Sequence, residues 1–163
     1  MIPVRLPLVR LAHARPLDCF ESVRRHRRAN GGEALHGWQI WQWDGLFIEA
    51  EFHAVWRSGD GRLVDITPKR APVKESLFVP DAVRTFTGTR VDNVRLALIA
   101  DPLVGDFIAT CEEEWRLLYA GPRGRQRNPV LSRTEMLALD GIRRRKRAAA
   151  EALGMVEAPR AAE

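Results

Sequence analysis

Leu46-Phe47-Ile48-Glu49-Ala50-Glu51-Phe52-His53-Ala54-Val55-Trp56 is the stretch on which the fold turns. Leu46, Ile48, Ala50, Phe52, Ala54 and Trp56 fall on one face of an extended chain, and Phe47, Glu49, Glu51, His53 and Val55 on the other. Strict alternation of this kind predicts a β-strand with one face in the core and the other presenting His53 beside two carboxylates. Ser58-Gly59-Asp60-Gly61 then turns the chain, and Arg62-Leu63-Val64-Asp65-Ile66-Thr67 returns as a partner strand. A three-residue loop with Gly61 left-handed pairs Val55 with Asp65 and His53 with Thr67. Asp65 is then diagonal to His53 on one face, with backbones about 7 Å apart.

Upstream, Gly37 to Trp43 reads as another strand, with Trp38 and Ile40 on one side and Trp41 and Trp43 on the other, the pattern of a strand covered on both faces. Asp44-Gly45 gives a two-residue hairpin signal. Asp18 is placed to cap a helix of about three turns that begins at Cys19 and stops at Asn30-Gly31-Gly32. Beyond Pro68, Lys69 to Pro80 reads as a connection with a short extended piece at Ser76-Leu77-Phe78-Val79. From Asp92 the pattern is helical through Val94, Leu96, Ala97, Leu98 and Ile99, up to an Asp101-Pro102 start for a helix running to about Tyr119. Its apolar stripe, Leu103, Val104, Phe107, Ile108, Cys111, Trp115 and Leu118, assigns Cys111 to packing. Ala120 to Pro129 reads as a linker or mobile loop. Ser132-Arg133-Thr134-Glu135 is a capping box opening a last helix to about Leu153, and the end beyond it reads as disordered. The expected class is α+β: an N-terminal helix on an antiparallel sheet of three or more strands, within one domain over residues 1–120. Residues 121–163 form an Arg-rich linker and C-terminal helix.

A chain of 163 residues suits one domain with a real core, and 45% hydrophobic residues exclude disorder throughout. No stretch approaches the roughly 18 apolar residues of a membrane span. Pro and Arg interrupt Met1-Ile2-Pro3-Val4-Arg5-Leu6-Pro7 before a signal-peptide core forms, so the expected setting is the cytoplasm, with no membrane. Both cysteines, Cys19 and Cys111, are expected free there, and no cofactor is called for. The net charge of +5 is uneven: Gly121 to Ala149 holds nine Arg or Lys against two acidic residues, which leaves −2 for the remainder. A smaller basic knot, Arg24-Arg25-His26-Arg27-Arg28, lies on the first helix.

Three of these residues carry a chemical pattern. Unpaired N–H groups at a helix start favour negative charge, which is what a nucleophilic sulfur needs, and Cys19 has that position. A His within reach can take and return the proton, and a carboxylate on the far ring nitrogen fixes its tautomer. Taken alone, Cys19 is a small buried hydrophobe and His53 a partner of Glu49 or Glu51. Taken in order, Cys19, His53 and Asp65 form a candidate acyl-transfer site.

The order resembles the transglutaminase-like branch of the papain-like thiol enzymes. In that family a Cys begins a helix, a Gly-aromatic step enters the sheet, a His-Ala pair lies in a central strand and a Val-Asp-x-Thr-type strand follows. Cys19, Gly37-Trp38, His53-Ala54 and Val64-Asp65-Ile66-Thr67-Pro68 are similar in order and character, over about residues 15 to 68. The resemblance implies Cys19 as nucleophile, His53 as base and acid and Asp65 as orienting group, acting on a peptide or protein substrate through a thioester. The Cys19 to His53 spacing is short for the family, and His13, Arg15 and Pro16 stand where papain-type enzymes carry a Gln. The Cys19 N–H is one oxyanion donor, with Trp38 or Trp41 as a second and Glu51 as a lining residue.

Other classes use the same residues differently. Cys19, His53 and Asp65 with His36 or Glu51 offer zinc ligand types, although no C-x-x-C or H-x-x-x-H pair accompanies them. Arg123, Arg125, Arg127, Arg143, Arg144, Arg145, Lys146 and Arg147 are candidates for binding nucleic acid or an acidic partner, without any recognised nucleic-acid motif. A third possibility is an accessory protein whose site has decayed.

Overall fold

The computed structural model of the chain describes residues 2–12, 14–43, 45–69 and 73–155, and the backbone of 160–161. Its class is the expected α+β. Numbered in chain order, the strands are β1 (Val4–Pro7), β2 (Glu33–Trp43), β3 (Phe47–Arg57), β4 (Leu63–Val64), β5 (Glu75–Pro80), β6 (Val94–Ala97) and β7 (Arg160–Ala161). They join in one sheet ordered β1-β5-β2-β3-β4, with β6 also on β3 and β7 on β2, and every ladder is antiparallel. The helices are α1 (Cys19–Asn30), α2 (Pro102–Tyr119) and α3 (Arg133–Ala152).

The β2–β3 hairpin runs in register from Glu33↔Arg57 to Trp43↔Phe47. Its loop is longer than the two residues expected: Leu46 N–H donates to Trp43 O at 2.7 Å, and Gly45 takes φ +76°. Asp44 lies outside the described residues. The β3–β4 turn does close as expected, with Gly61 at φ +86° and its N–H on Ser58 O at 2.9 Å. Trp56↔Val64 and Arg57↔Leu63 set a register that brings Asp65 opposite Val55. The strand, however, ends at Val64 rather than Thr67. Asp65 turns its backbone to the N-terminal segment, donating to Pro7 O at 3.1 Å and accepting from Val9 N at 2.9 Å.

Both faces of β3 are covered. On one, Cys19 and Val23 of α1 pack on Ala54 and Ile66, and Phe20 meets Phe52. On the other, Phe47 is enclosed by Val104, Phe107, Cys111 and Ala149 of the two C-terminal helices, and Val55 by Leu6 and Phe78. The Val, Leu, Ile and Phe side chains among these each contribute about 1.5–3 kcal/mol when fully removed from water. The face that carries His53, read as the one opposite the core, is also interior, and its polar residues need partners.

Two segments differ from their expected form. Val94 to Ala97 is an edge strand rather than helix, because Arg95 reaches Glu49 across the sheet at 2.9 Å while Val94 and Leu96 point outward. Gly121–Arg125, read as part of a linker, is a packed 3-10 helix: Arg123 donates to Leu117 O at 2.9 Å and pairs with Glu135. The Asp101 side chain caps α2 through Leu103 N at 2.8 Å, and Ser132 and Glu135 form the full capping box of α3. The end read as disordered supplies β7; residues 156–159 and 162–163 lie outside the described residues.

Gly37, opposite His53 in the ladder, has no room for a side chain: a Cβ there lies 2.3 Å from Val79 O and 2.6 Å from Phe78 Cζ. Gly37→Ala is expected to cost about 2 kcal/mol or more by forcing β5 from β2, read as a lower urea midpoint. An unchanged midpoint contradicts this packing.

Candidate active site

His53 Nε2 lies 3.1 Å from Asp65 Oδ2, with both side chains buried. The Asp65 carboxylate is saturated. Its Oδ1 accepts from Thr67 N at 2.9 Å, and its Oδ2 also receives Lys69 Nζ at 2.7 Å and Ser76 Oγ at 3.1 Å. Lys69, with a side chain only 6% exposed, donates further to Gln39 Oε1 at 2.6 Å and lies 3.2 Å from His53 Nε2. Burial raises the Asp65 pKa, but the charges and hydrogen bonds of His53 and Lys69 outweigh it and hold the carboxyl well below the usual carboxylate range.

The other ring nitrogen, Nδ1, is buried without a hydrogen-bond partner among the described residues, as is Gln39 Nε2. Burial of His53 disfavours its charged form. The electrostatic influence of Cys19 comes first among those that oppose this, followed by Asp65, while Lys69 acts in the same direction as burial. The balance raises the His53 pKa to about 9.

Cys19 is the first residue of α1, in the position expected, although the Asp18 side chain makes no capping hydrogen bond. Two residues earlier Leu17 takes φ 61°, a left-handed conformation that costs a non-glycine residue about 1 kcal/mol and concentrates at functional sites. The thiol lines a cleft of about 450 Å³ together with Glu51, Phe52, Asn93, Trp115 and Tyr119. Glu51 and Phe52 leave opposite faces of β3, so the cleft opens on the strand's edge. That edge is bare here because β6 covers only residues 47–50 and β4 only 56–57. Cys19 on the α1 face and His53 on the other face of β3 leave opposite sides of the sheet, and His53 does not line this cleft. No hydrogen bond joins them.

The remaining sequence-derived candidates fall elsewhere. Trp38 Nε1 donates to Asp81 at 3.1 Å and Trp41 Nε1 to Glu51 at 3.2 Å, so neither indole N–H is free as an oxyanion donor. His36 stands on the α1 face against Phe20, away from Asp65. Among the described residues no three His, Cys, Asp or Glu side chains gather for a metal ion. Arg143, Arg145 and Lys146 engage Glu113 and Glu114 of α2, and Arg123 engages Glu135, whereas Arg125, Arg127, Arg144 and Arg147 meet no carboxylate among the described residues. Cys111 is packed as expected, and burial pushes its thiol pKa up. Among the described residues neither cysteine is in a disulfide, and no helix is long and apolar enough to cross a membrane.

Lys69, Gln39 and Ser76 were not candidates from sequence. Gln39 shares the register face of His53, and Lys69 follows Asp65 by four residues, but only the turn at Pro68 brings its amine back beneath the sheet. Compared with protein-family models, curated proteins and solved structures, the chain finds no significant match.

Proposed function

We propose that this chain is a thiol-dependent acyl-transfer enzyme, a peptidase, amidase or transglutaminase-like activity, with Cys19 as nucleophile, His53 as base and acid and Asp65 as the orienting group. The state of His53 carries this reading. Its Nε2 is fixed by a carboxylate with no remaining freedom, while its Nδ1 is buried and unpartnered. Lys69 already balances the charge of Asp65 at 2.7 Å, and among the charged groups around His53 the influence of Cys19 is the largest.

In the reaction, the Cys19 sulfur forms a bond to the carbonyl carbon of an amide or ester. The C–N or C–O bond breaks as the imidazolium gives its proton to the leaving group, and a thioester remains. Neutral His53 then takes a proton from water or an incoming amine, which attacks the thioester and frees the sulfur. The free thiols suit a reducing compartment, the cytoplasm, and the substrate class is a peptide or protein.

A burst of p-nitrophenol from p-nitrophenyl acetate, with acetyl on the Cys19 peptide by mass spectrometry, is the expected result. The burst disappears in Cys19→Ser. Acetylation confined to Cys111 or the lysines contradicts the assignment. The pH profile follows from His53: a raised pKa means the proton is held below it and lost as pH rises through about 9, so kcat/KM for an amide substrate, whose leaving group needs that proton, declines on the alkaline side near that value. An alkaline decline in the ordinary His range, near about 6.5, contradicts the coupling to Cys19.

A further inference from the structure

The cleft before Cys19 is electrically two-ended. On the α1 side it carries Asp18 and Glu21, and Glu21 is engaged by Arg24 at 2.6 Å. The wall built by residues 88–93 and 124–127 carries Arg90, Arg125 and Arg127. This wall is built from two segments fastened together: Arg90 N–H donates to Gly124 O at 2.8 Å, and Arg125 Nε to Thr89 Oγ1 at 3.3 Å. Gly124 fits so closely that a Cβ there lies 2.9 Å from Thr89 Cγ2. Arg90 is laid over the Tyr119 ring at 4.7 Å, which orients its guanidinium without neutralising it.

None of these three guanidiniums has a carboxylate within ion-pair distance among the described residues, whereas Arg24, Arg123, Arg143 and Arg145 all do. Three uncompensated charges in the lining give a positive end to a cleft whose other charged residues include Asp18, Glu21 and Glu51. Resting on the thiol reading above, we propose that the acyl substrate of Cys19 carries a carboxylate near the bond that breaks, as an acidic peptide does, and that Arg90, Arg125 and Arg127 hold it. Arginine forks match a carboxylate in two hydrogen bonds, and a fixed anion places the neighbouring carbonyl for attack.

The test compares alkylation of Cys19 by iodoacetate and by iodoacetamide, which differ in the carboxylate, with the site followed on its proteolytic peptide. The iodoacetate-to-iodoacetamide rate ratio is expected to fall about fivefold in the full chain carrying Arg90→Gln, Arg125→Gln and Arg127→Gln. It should fall about twofold in Arg127→Gln alone and in 0.5 M salt, and stay unchanged in Arg144→Gln. If the triple variant does not fold, Arg127→Gln and the salt series decide. A ratio indifferent to Arg127→Gln and to salt, with Cys19 still reactive, overturns the carboxylate proposal alone. Cys19 reacting with both reagents no faster than in the urea-unfolded chain overturns the thiol reading, and this proposal with it.

Discussion

Replacing His53 with alanine is expected to cut p-nitrophenyl acetate turnover at pH 7 by about a hundredfold or more, the usual share of a general acid–base group. Two losses combine. Thioester hydrolysis loses the base that takes the proton from water, and the sulfur loses the imidazole that assists its attack. The second loss is readable separately as alkylation by iodoacetamide at pH 6. The expected drop is about tenfold, because the sulfur then reacts without a base beside it. His36→Ala, on the other face of the sheet, should leave both rates unchanged. Equal rates in wild type and His53→Ala would remove His53 from the mechanism.

Asp65→Ala should be the most damaging single change to stability, at about 3–5 kcal/mol, because it strands the buried Lys69 ammonium without its counter-charge. It also leaves Thr67 N and Ser76 Oγ without their acceptor. The depressed Asp65 pKa gives the sign: its stabilising contribution is present above the ordinary carboxylate range and is lost only as pH falls through the lowered value in strong acid. Urea unfolding at pH 7 measures the cost, and adding Lys69→Met should recover part of it by removing the stranded charge. A cost under about 1 kcal/mol, or no recovery in the double variant, contradicts the buried network.

The sheet's centre was legible because its signals are local. Eleven alternating residues make β3, Gly61 makes its return turn, and Ser132 with Glu135 starts α3. Cys19 at a helix start and the nearness of His53 to Asp65 follow from those same signals through register. What was misread depends on contacts between distant residues. Val94-Arg95-Leu96-Ala97-Leu98-Ile99 holds apolar residues at spacings that fit either a strand or a helix, and the tie of Arg95 to Glu49 decides it. The 3-10 helix was hidden behind Gly and Arg residues that ordinarily mark a loop, and its order comes from Thr89 and Glu135. Trp38 and Trp41 could not be excluded as donors until Asp81 and Glu51 were seen to accept from them. Lys69 had no local signal, since a lysine after proline in a connection reads as a solvated side chain.

Ring-nitrogen NMR of His53, titrated from pH 5 to 10 in wild type and in Cys19→Ala, bears most directly on whether sulfur and imidazole form one charged pair. The expected midpoint is near 9 with the sulfur present and lower without it, since burial and Lys69 then face Asp65 alone. An identical midpoint in the two proteins, or a wild-type value near about 6.5, would show that Cys19 and His53 do not act together.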